Sequence, residues 1–292
     1  MKLSSSEISQ AVRAVRKPSD DGIVPLGYSI DSRTIQSGEC FIAIKGPNFD
    51  GHQFIREALS KGACLVVAQA EADQPWPVEA PVLLVKDTLL ALQQLATYVR
   101  RKWGHKVIAI TGSTGKTTTK EITSLVLAGH FRVFRSMGNF NNDYGLPLSL
   151  LRLHELQEVA VLELGMSAPG EIARLSKIAG PNIGIITNVK PVHLEFFKSI
   201  DGIAKAKREL VEHLPEDGLA VLNNDDVRVR KFGRHFPQTF STSEDFCLLR
   251  AKRRRSGRAA TTHRLNERSY SRPFHPDQPS SCPFGRGKLL HF

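Results

Sequence analysis

Short, unbroken apolar runs between turn residues set the pattern of the first part of the chain. CFIAI (40–44), CLVVA (64–68) and VLLV (82–85) lack polar alternation and predict buried strands. FIREALSKG (54–62) has helical spacing and stops at Gly62, whereas the polar, Pro-rich stretch 71–81 reads as a surface loop. Residues 1–85 therefore predict a small α/β domain. In DTLLALQQLATYVRRKW (87–103) the apolar positions 89, 92, 95, 96 and 99 fall on one helical face behind a capping Asp87, giving a connecting helix over 86–105. From 106 the rhythm changes. KVIAI (106–110), VAVLEL (159–164), IGIITNV (183–189) and LAVLNN (219–224) are near-continuous apolar strands, with helical segments at 117–129, 170–179 and 201–214. Strands buried on both faces and alternating with helices predict a mostly parallel sheet covered on both sides, so the fold class is α/β. A central domain over 106–245 follows from this. Residues 246–292 keep neither period and predict a low-order tail rich in Arg, Ser, Pro and His.

Charge sharpens that boundary. The 292 residues carry 40 Lys+Arg against 29 Asp+Glu, a net of +11. Residues 246–292 hold 11 of the basic residues and only Glu267 and Asp277, which leaves 1–245 at 29 basic against 27 acidic. A near-neutral body argues against nucleic acid as its partner, and the RRR at 253–255 carries no accompanying motif. Cys40, Cys64, Cys247 and Cys282 are scattered, which indicates neither a disulfide framework nor a zinc site. No run reaches the roughly 18 apolar residues that span a bilayer, and no export signal opens the chain; a cytoplasmic protein without membrane insertion is expected.

Chemistry enters at one loop. The strand KVIAI runs into Thr111-Gly112-Ser113-Thr114-Gly115-Lys116-Thr117-Thr118 and then a helix. Glycines let backbone N–H groups curl around phosphate oxygens, and the helix N-terminus adds positive potential. Lys116 can reach the β/γ-phosphates and the Thr117 hydroxyl can ligate Mg²⁺. Gly112, Ser113, Thr114, Gly115, Lys116, Thr117 and Thr118 are thus the candidate nucleotide contacts, in a loop shorter than the common GxxxxGK[ST]. Glu163 ends a buried strand, where a carboxylate requires a partner.

TGSTGKTTTKE (111–121) resembles the Mur ligases. GNFNNDYGLPLSLL (138–151), VLELGMSAPGEIARL (161–175), ITNVKPVHLEFFKS (186–199), IAKAKREL (203–210) and VLNNDD (221–226) follow in that family's order. DSRTIQSGECFIAIKGPNFDGHQFI (31–55) resembles the uridine-binding domain of the family, and GNFNNDYG favours its D-Ala-D-Ala-adding branch over the branch that precedes it in the pathway. The resemblance implies an ATP-dependent, ADP-forming amide ligase that joins D-Ala-D-Ala to UDP-N-acetylmuramoyl-tripeptide through an acyl phosphate. It further implies ATP and Mg²⁺, two ions, as cofactors and a monomer as the working unit. By the same resemblance Glu163 and His193 ligate metal, and Lys207 is carbamylated, which turns a cation into a carboxylate-like metal ligand. Lys116, Lys207 and His193 are then the catalytic set. Asn139 and Asn142 face the substrate, as does Asn141. Asn223 and Asp226 lie beside the adenosine, with Asp225 next to them. Ser32 and Arg33 contact the uridine diphosphate.

Two departures stand out. Lys190 occupies a position where the family commonly has Gly, and the family's third domain is not recognisable after 245. The abrupt change of composition leads us to expect a translated frameshift from about 246, a truncated ligase and impaired amide synthesis. A non-catalytic remnant that only binds the UDP-precursor and nucleotide is the alternative, as is the preceding Mur ligase of the pathway.

Overall fold

The computed structural model describes residues 1–16, 18, 22–46, 49–71, 77, 80–192, 196–236, 238–242 and 249–250. Two sheets result, both within one compact unit, Met1–Arg254. The first is a four-stranded parallel sheet in the order β1 (Tyr28–Ser29), β2 (Cys40–Ile42), β3 (Leu65–Gln69), β4 (Val82–Val85). Beyond the half-buried β1, its strands are buried on both faces: Phe41, Ala43, Val66 and Ala68 meet helix α2 (Ile55–Ser60) and its surroundings, while Cys40, Ile42, Leu65 and Val67 join the large core. The three expected strands and the helix are present: β4 keeps its bounds, β3 is shifted by one residue, and β2 and α2 are shorter. Helix α1 (Ser5–Ala11), held by a Ser4–Glu7 capping box, was not legible from apolar spacing.

Helix α3 (Thr88–Trp103) is the expected connector. Asp87 caps it by accepting from the Leu90 N–H at 2.9 Å, and Gly104 ends it in the left-handed region. Its apolar face buries Leu92, Leu95, Ala96, Val99 and Trp103 against α5 (Gly145–Leu150) and α6 (Glu171–Ala179). Each such large side chain contributes roughly 1.5–3 kcal/mol on burial, enough to fix the connector to the second sheet. Buried Arg100 adds polar ties: Nε donates to the Ala179 carbonyl at 2.7 Å and Nη2 to that of Gly180 at 3.0 Å, satisfying the end of α6.

The second sheet has the order β11 (Leu249–Arg250), β10 (Thr239–Thr242), β9 (Leu219–Asn223), β8 (Ile183–Ile186), β5 (Lys106–Thr111), β7 (Val159–Glu163), β6 (Val133–Arg135). All neighbours are parallel except β11, which pairs antiparallel with β10. That two-residue edge strand lies four residues past the boundary read from composition; the rest of the expected tail, 246–248 and 251–292, lies outside the described residues. β5 is central, with β7 on one side and β8 on the other, so the strand order reverses around it. In open α/β sheets the crevice at the carboxyl ends of the strands beside such a reversal is where ligands bind. Helix α4 (Lys116–Ala128) packs on β6 and β7, while α6 and α7 (Ile200–Glu212) contact each other and pack on the opposite face. Among the described residues no helix is long and apolar enough to cross a membrane.

Candidate active site

The carboxyl ends of β5, β7, β8 and β9 gather the phosphate loop, Glu163, Asn223 and Asp226, with Asn141 reaching in to Glu163. β5 delivers Thr111, whose hydroxyl donates to the Leu164 carbonyl at 3.0 Å and so ties the start of the phosphate loop to the end of β7. Gly112 has no room for a side chain: a Cβ there would come within 1.8 Å of the Thr187 hydroxyl. Gly115 has φ +79°, the left-handed region where glycine is favoured, and turns the chain into α4 without a side-chain cap. Lys116 Nζ donates to the Gly112 carbonyl at 3.0 Å, inside the loop.

The loop is strapped to the segment after β8. The Ser113 N–H donates to the Asn188 carbonyl at 3.0 Å and the Thr114 N–H to the Asn188 side-chain oxygen at 3.0 Å. Thr187 in turn donates its hydroxyl to the Thr114 carbonyl at 2.7 Å, and the Ser113 hydroxyl accepts from the Lys190 N–H at 2.8 Å. Asn188 therefore takes up the amides of Ser113 and Thr114, which leaves the first turn of α4, at Lys116, Thr117 and Thr118, as the anion-facing end of the helix. Lys190, the departure from the family's Gly, joins this strap through its backbone.

Glu163 is the hub. It is 4% exposed; Oε2 accepts the Thr117 hydroxyl at 2.7 Å, and Oε1 accepts Asn141 Nδ2 at 2.9 Å. Its N–H donates to the Ser136 hydroxyl at 3.2 Å. A hydroxyl and a carboxylate meeting at the first turn of a phosphate-loop helix are hard oxygen donors of the kind Mg²⁺ takes. Among the described residues no group of three or more His, Cys, Asp or Glu side chains gathers for a metal.

Lys207 comes from α7 and is 2% exposed. Burial, and then the nearby Lys116 ammonium, push its amine down to about 7. About half of such a group is neutral at pH 7, against roughly one part in 3,000 for an ordinary lysine. Glu209, two residues on, caps the start of α6 by accepting from the Gly170 and Ala173 N–H groups at 3.1 and 2.9 Å, which fixes α7 where it carries Lys207. His193 lies outside the described residues.

The asparagines divide. Asn141 reaches Glu163, whereas the side-chain oxygen of exposed Asn142 accepts from the Tyr144 and Gly145 N–H groups at 3.2 and 2.8 Å and starts α5. Exposed Asn139 accepts from the Asn141 N–H at 2.8 Å through its carbonyl. An open cleft of about 440 Å³ runs past Lys116, Asn141, Asn142, Asp143, Ser167 and Glu171. Asn223, at the end of β9, donates to the Thr187 carbonyl at 2.8 Å. Asp226 accepts from the N–H groups of Val189 at 2.7 Å, Arg228 at 2.9 Å and Val229 at 3.1 Å. Partial burial pushes its carboxyl up, but these three bonds outweigh it and hold the group below its ordinary value. Far along the chain, at the end of β1, Ser32 is buried with its hydroxyl on Glu57 at 3.0 Å, and exposed Arg33 forks onto Asp31 at 2.7 Å. That guanidinium outweighs the opposing effect of desolvation and brings the Asp31 carboxyl down to about 2.

Lys120, Ser136 and Asn188 were not singled out by sequence. Lys120 is the inward-facing position one helical turn after Lys116, a spacing that could have marked it; nothing in the local pattern marks Ser136 or Asn188.

Several known proteins are similar to this chain. The Mur ligase middle domain matches residues 110–270, and the catalytic domain of the Mur ligase family matches residues 27–100. The chain is 41% identical over 227 residues to the UDP-N-acetylmuramoyl-tripeptide--D-alanyl-D-alanine ligase of Bacillus subtilis, covering 77% of this chain and 50% of that one. To the Escherichia coli protein of the same description it is 40% identical over 196 residues, covering 67% and 42%. The crystal structure of MurF from Acinetobacter baumannii superposes with a TM-score of 0.75 at 34% identity, covering 82% of this chain and 53% of that one. MurF ligase from Thermotoga maritima in complex with ADP gives 0.69 at 37%, covering 75% and 50%. The chain spans about half the length of the curated relatives it matches. With a middle-domain match across more than half of its residues, the chain belongs to the Mur ligase family.

Proposed function

We propose that this chain carries the nucleotide- and acyl-phosphate-handling part of an ATP-dependent ligase that joins D-Ala-D-Ala to UDP-N-acetylmuramoyl-tripeptide in peptidoglycan precursor synthesis. The observation that supports it most is the meeting of Thr117, Glu163 and Asn141 at the first turn of the phosphate-loop helix, beside a cleft lined by Lys116 and Asn141. The named relatives, and a similar structure holding ADP, point the same way.

The reaction is a double displacement. The tripeptide's terminal carboxylate attacks the γ-phosphorus of ATP, releasing ADP and forming an acyl phosphate. The amine of D-Ala-D-Ala then attacks the acyl carbon, a proton leaves the nitrogen, and inorganic phosphate departs as the amide forms. Much of the catalysis of such a reaction is positioning and offsetting of negative charge. The first turn of α4 receives the phosphates, with Lys116 compensating charge at the β/γ end. Thr117 and Glu163 would hold Mg²⁺, which would offset charge on the phosphates. Lys207, neutral in large part because it is buried, can react with carbon dioxide to give a carbamate and a released proton. As an anion, together with His193, it would hold a second Mg²⁺. Asn139 and Asn142 line the substrate side. Asn223 and Asp226 shape the nucleoside end through the strap after β8, and Ser32 with Arg33 serves the uridine diphosphate. A monomeric, cytoplasmic protein completes the proposal.

A phosphate-release assay with ATP, Mg²⁺, UDP-N-acetylmuramoyl-tripeptide and D-Ala-D-Ala tests it. Release should be severely impaired beside a full-length relative, should require all four components where it occurs, and should fall by a further factor of about 10²–10³ in Lys116→Ala. Release that persists without D-Ala-D-Ala, or that survives Lys116→Ala, would refute the assignment.

A further inference from the structure

We propose that Lys120 is a positioning residue that sets the geometry of Glu163 from inside the protein; its functional consequence rests on Glu163 being the Mg²⁺ ligand proposed above. Lys120 lies in the middle of α4 and is 1% exposed, so it is among the most deeply buried large side chains of the chain. A lysine is rarely enclosed in this way without partners that repay its lost hydration. Nζ donates to the Ser136 carbonyl at 2.8 Å and approaches Glu121 Oε1 at 3.2 Å. Glu121 is itself paired with Arg135 at the end of β6. Lys120 is therefore spent on protein groups at the point where β6 runs into the 136–141 segment.

That point controls the site. Ser136 accepts from Lys120 through its carbonyl and from the Glu163 N–H through its hydroxyl, and its own N–H donates to the Val161 carbonyl at 3.1 Å. The same segment returns to Glu163 five residues later, where Asn141 Nδ2 donates to Oε1 and the Asn141 carbonyl accepts the Gly165 N–H at 2.8 Å. The Glu163 backbone is thus held through Ser136 and its carboxylate through Asn141 and Thr117. Lys116 and Thr117 stand one turn before Lys120 on the same helix. One buried ammonium joins the phosphate-loop helix, the strand-end carboxylate and the substrate-side loop in a single rigid frame. Without it the Ser136 carbonyl is left in the interior with no ammonium, and the 136–141 segment loses its anchor to α4.

The experiment compares the parent chain with Lys120→Met and Ser136→Ala. Methionine keeps length and apolar volume while removing the charge and donors; alanine removes only the hydroxyl that receives the Glu163 N–H. Amide exchange followed by NMR on the ligand-free protein reads the frame directly. Lys120→Met should speed exchange at Glu163 and Gly165 by about tenfold or more, with the amides of α3 and β3 unchanged, and Ser136→Ala should do so at Glu163. Titration with ADP, with and without Mg²⁺, reads the consequence. Both variants should lose about 10-fold in the Mg²⁺-dependent part of ADP affinity while metal-free ADP affinity stays within about twofold, the pattern of a group that orients a metal ligand rather than touching nucleotide. Unchanged exchange at Glu163 in a folded Lys120→Met protein would overturn the proposal, as would an intact Mg²⁺ increment. Should Lys120→Met fail to fold, the Ser136→Ala results decide by the same criteria. A parent chain that binds no Mg²⁺·ADP would instead sink the nucleotide assignment, leaving the exchange data to judge Lys120 alone.

Discussion

Lys207→Met keeps an unbranched side chain of similar length at the most informative buried charge of the site. In the folded chain burial, and then Lys116, bring the amine from an ordinary 10.5 to about 7. The unfolded chain therefore holds more protons than the folded one between about pH 7 and 10.5, and stability must rise with pH across that window. Below pH 7 both states are protonated, and confining the charged amine costs its full penalty, about 4–5 kcal/mol as an upper bound. Methionine escapes this penalty. Lys207→Met should accordingly be more stable than the parent by several kcal/mol at pH 6, with the gap shrinking to about half by pH 9. Urea unfolding at pH 6, 7.5 and 9 in carbon-dioxide-free buffer measures it. A variant no more stable than the parent at pH 6, or a gap that does not change with pH, would refute this account of Lys207 as a desolvated amine.

Other expectations are shorter to state. Asp226→Asn leaves backbone donors of Val189, Arg228 and Val229 facing a weaker acceptor, so it should cost about 1–3 kcal/mol in urea unfolding. Because the Asp226 carboxyl is held below its ordinary value, its stabilisation is complete above about pH 4 and is lost as pH falls through the lowered folded value; the asparagine variant should be blind to that acid range. Arg100→Ala deletes the donors to Ala179 and Gly180 and should lower stability by about 2–3 kcal/mol without altering ADP affinity measured by titration. Arg33→Ala breaks only an exposed pair with Asp31, so unfolding should shift by less than about 1 kcal/mol; a fall in UDP affinity beyond that marks the guanidinium as a ligand contact.

What was legible in the sequence followed from length and period. The connector α3, with sixteen residues, an Asp cap and a single apolar face, and the strands β5, β7, β8 and β9, with unbroken apolar runs, were readable because burial dictates their composition. β1 and β6 have two and three residues, too few to display any period. α5 begins at Gly145 and contains Pro147, residues that spell a turn; it is helical because Pro147 falls in the first turn, where its missing N–H costs nothing, and because Leu146 and Leu150 are drawn into the core. At the site, the phosphate loop was legible from glycine and lysine spacing alone. Glu163 was suspected from its position, but its bonds to Thr117 and Asn141 join β7 to residues 46 and 22 positions away, which no local pattern encodes. Lys207 carries no local sign of burial in a helix rich in Lys and Arg; family resemblance alone singled it out, and the fold buries it. Lys120 is the converse: a lysine between Thr119 and Glu121 that reads as surface and is enclosed because β6 closes over it.

The central claim, that Thr117 and Glu163 hold Mg²⁺ against a nucleotide seated on the phosphate loop, is tested most directly by calorimetric titration of the chain and its Glu163→Gln variant with ADP, in the presence and absence of Mg²⁺. One equivalent of ADP should bind the parent, Mg²⁺ should tighten binding by about tenfold or more, and Glu163→Gln should abolish that gain while still binding metal-free ADP. No ADP binding by the parent, or an undiminished magnesium gain in Glu163→Gln, would contradict it.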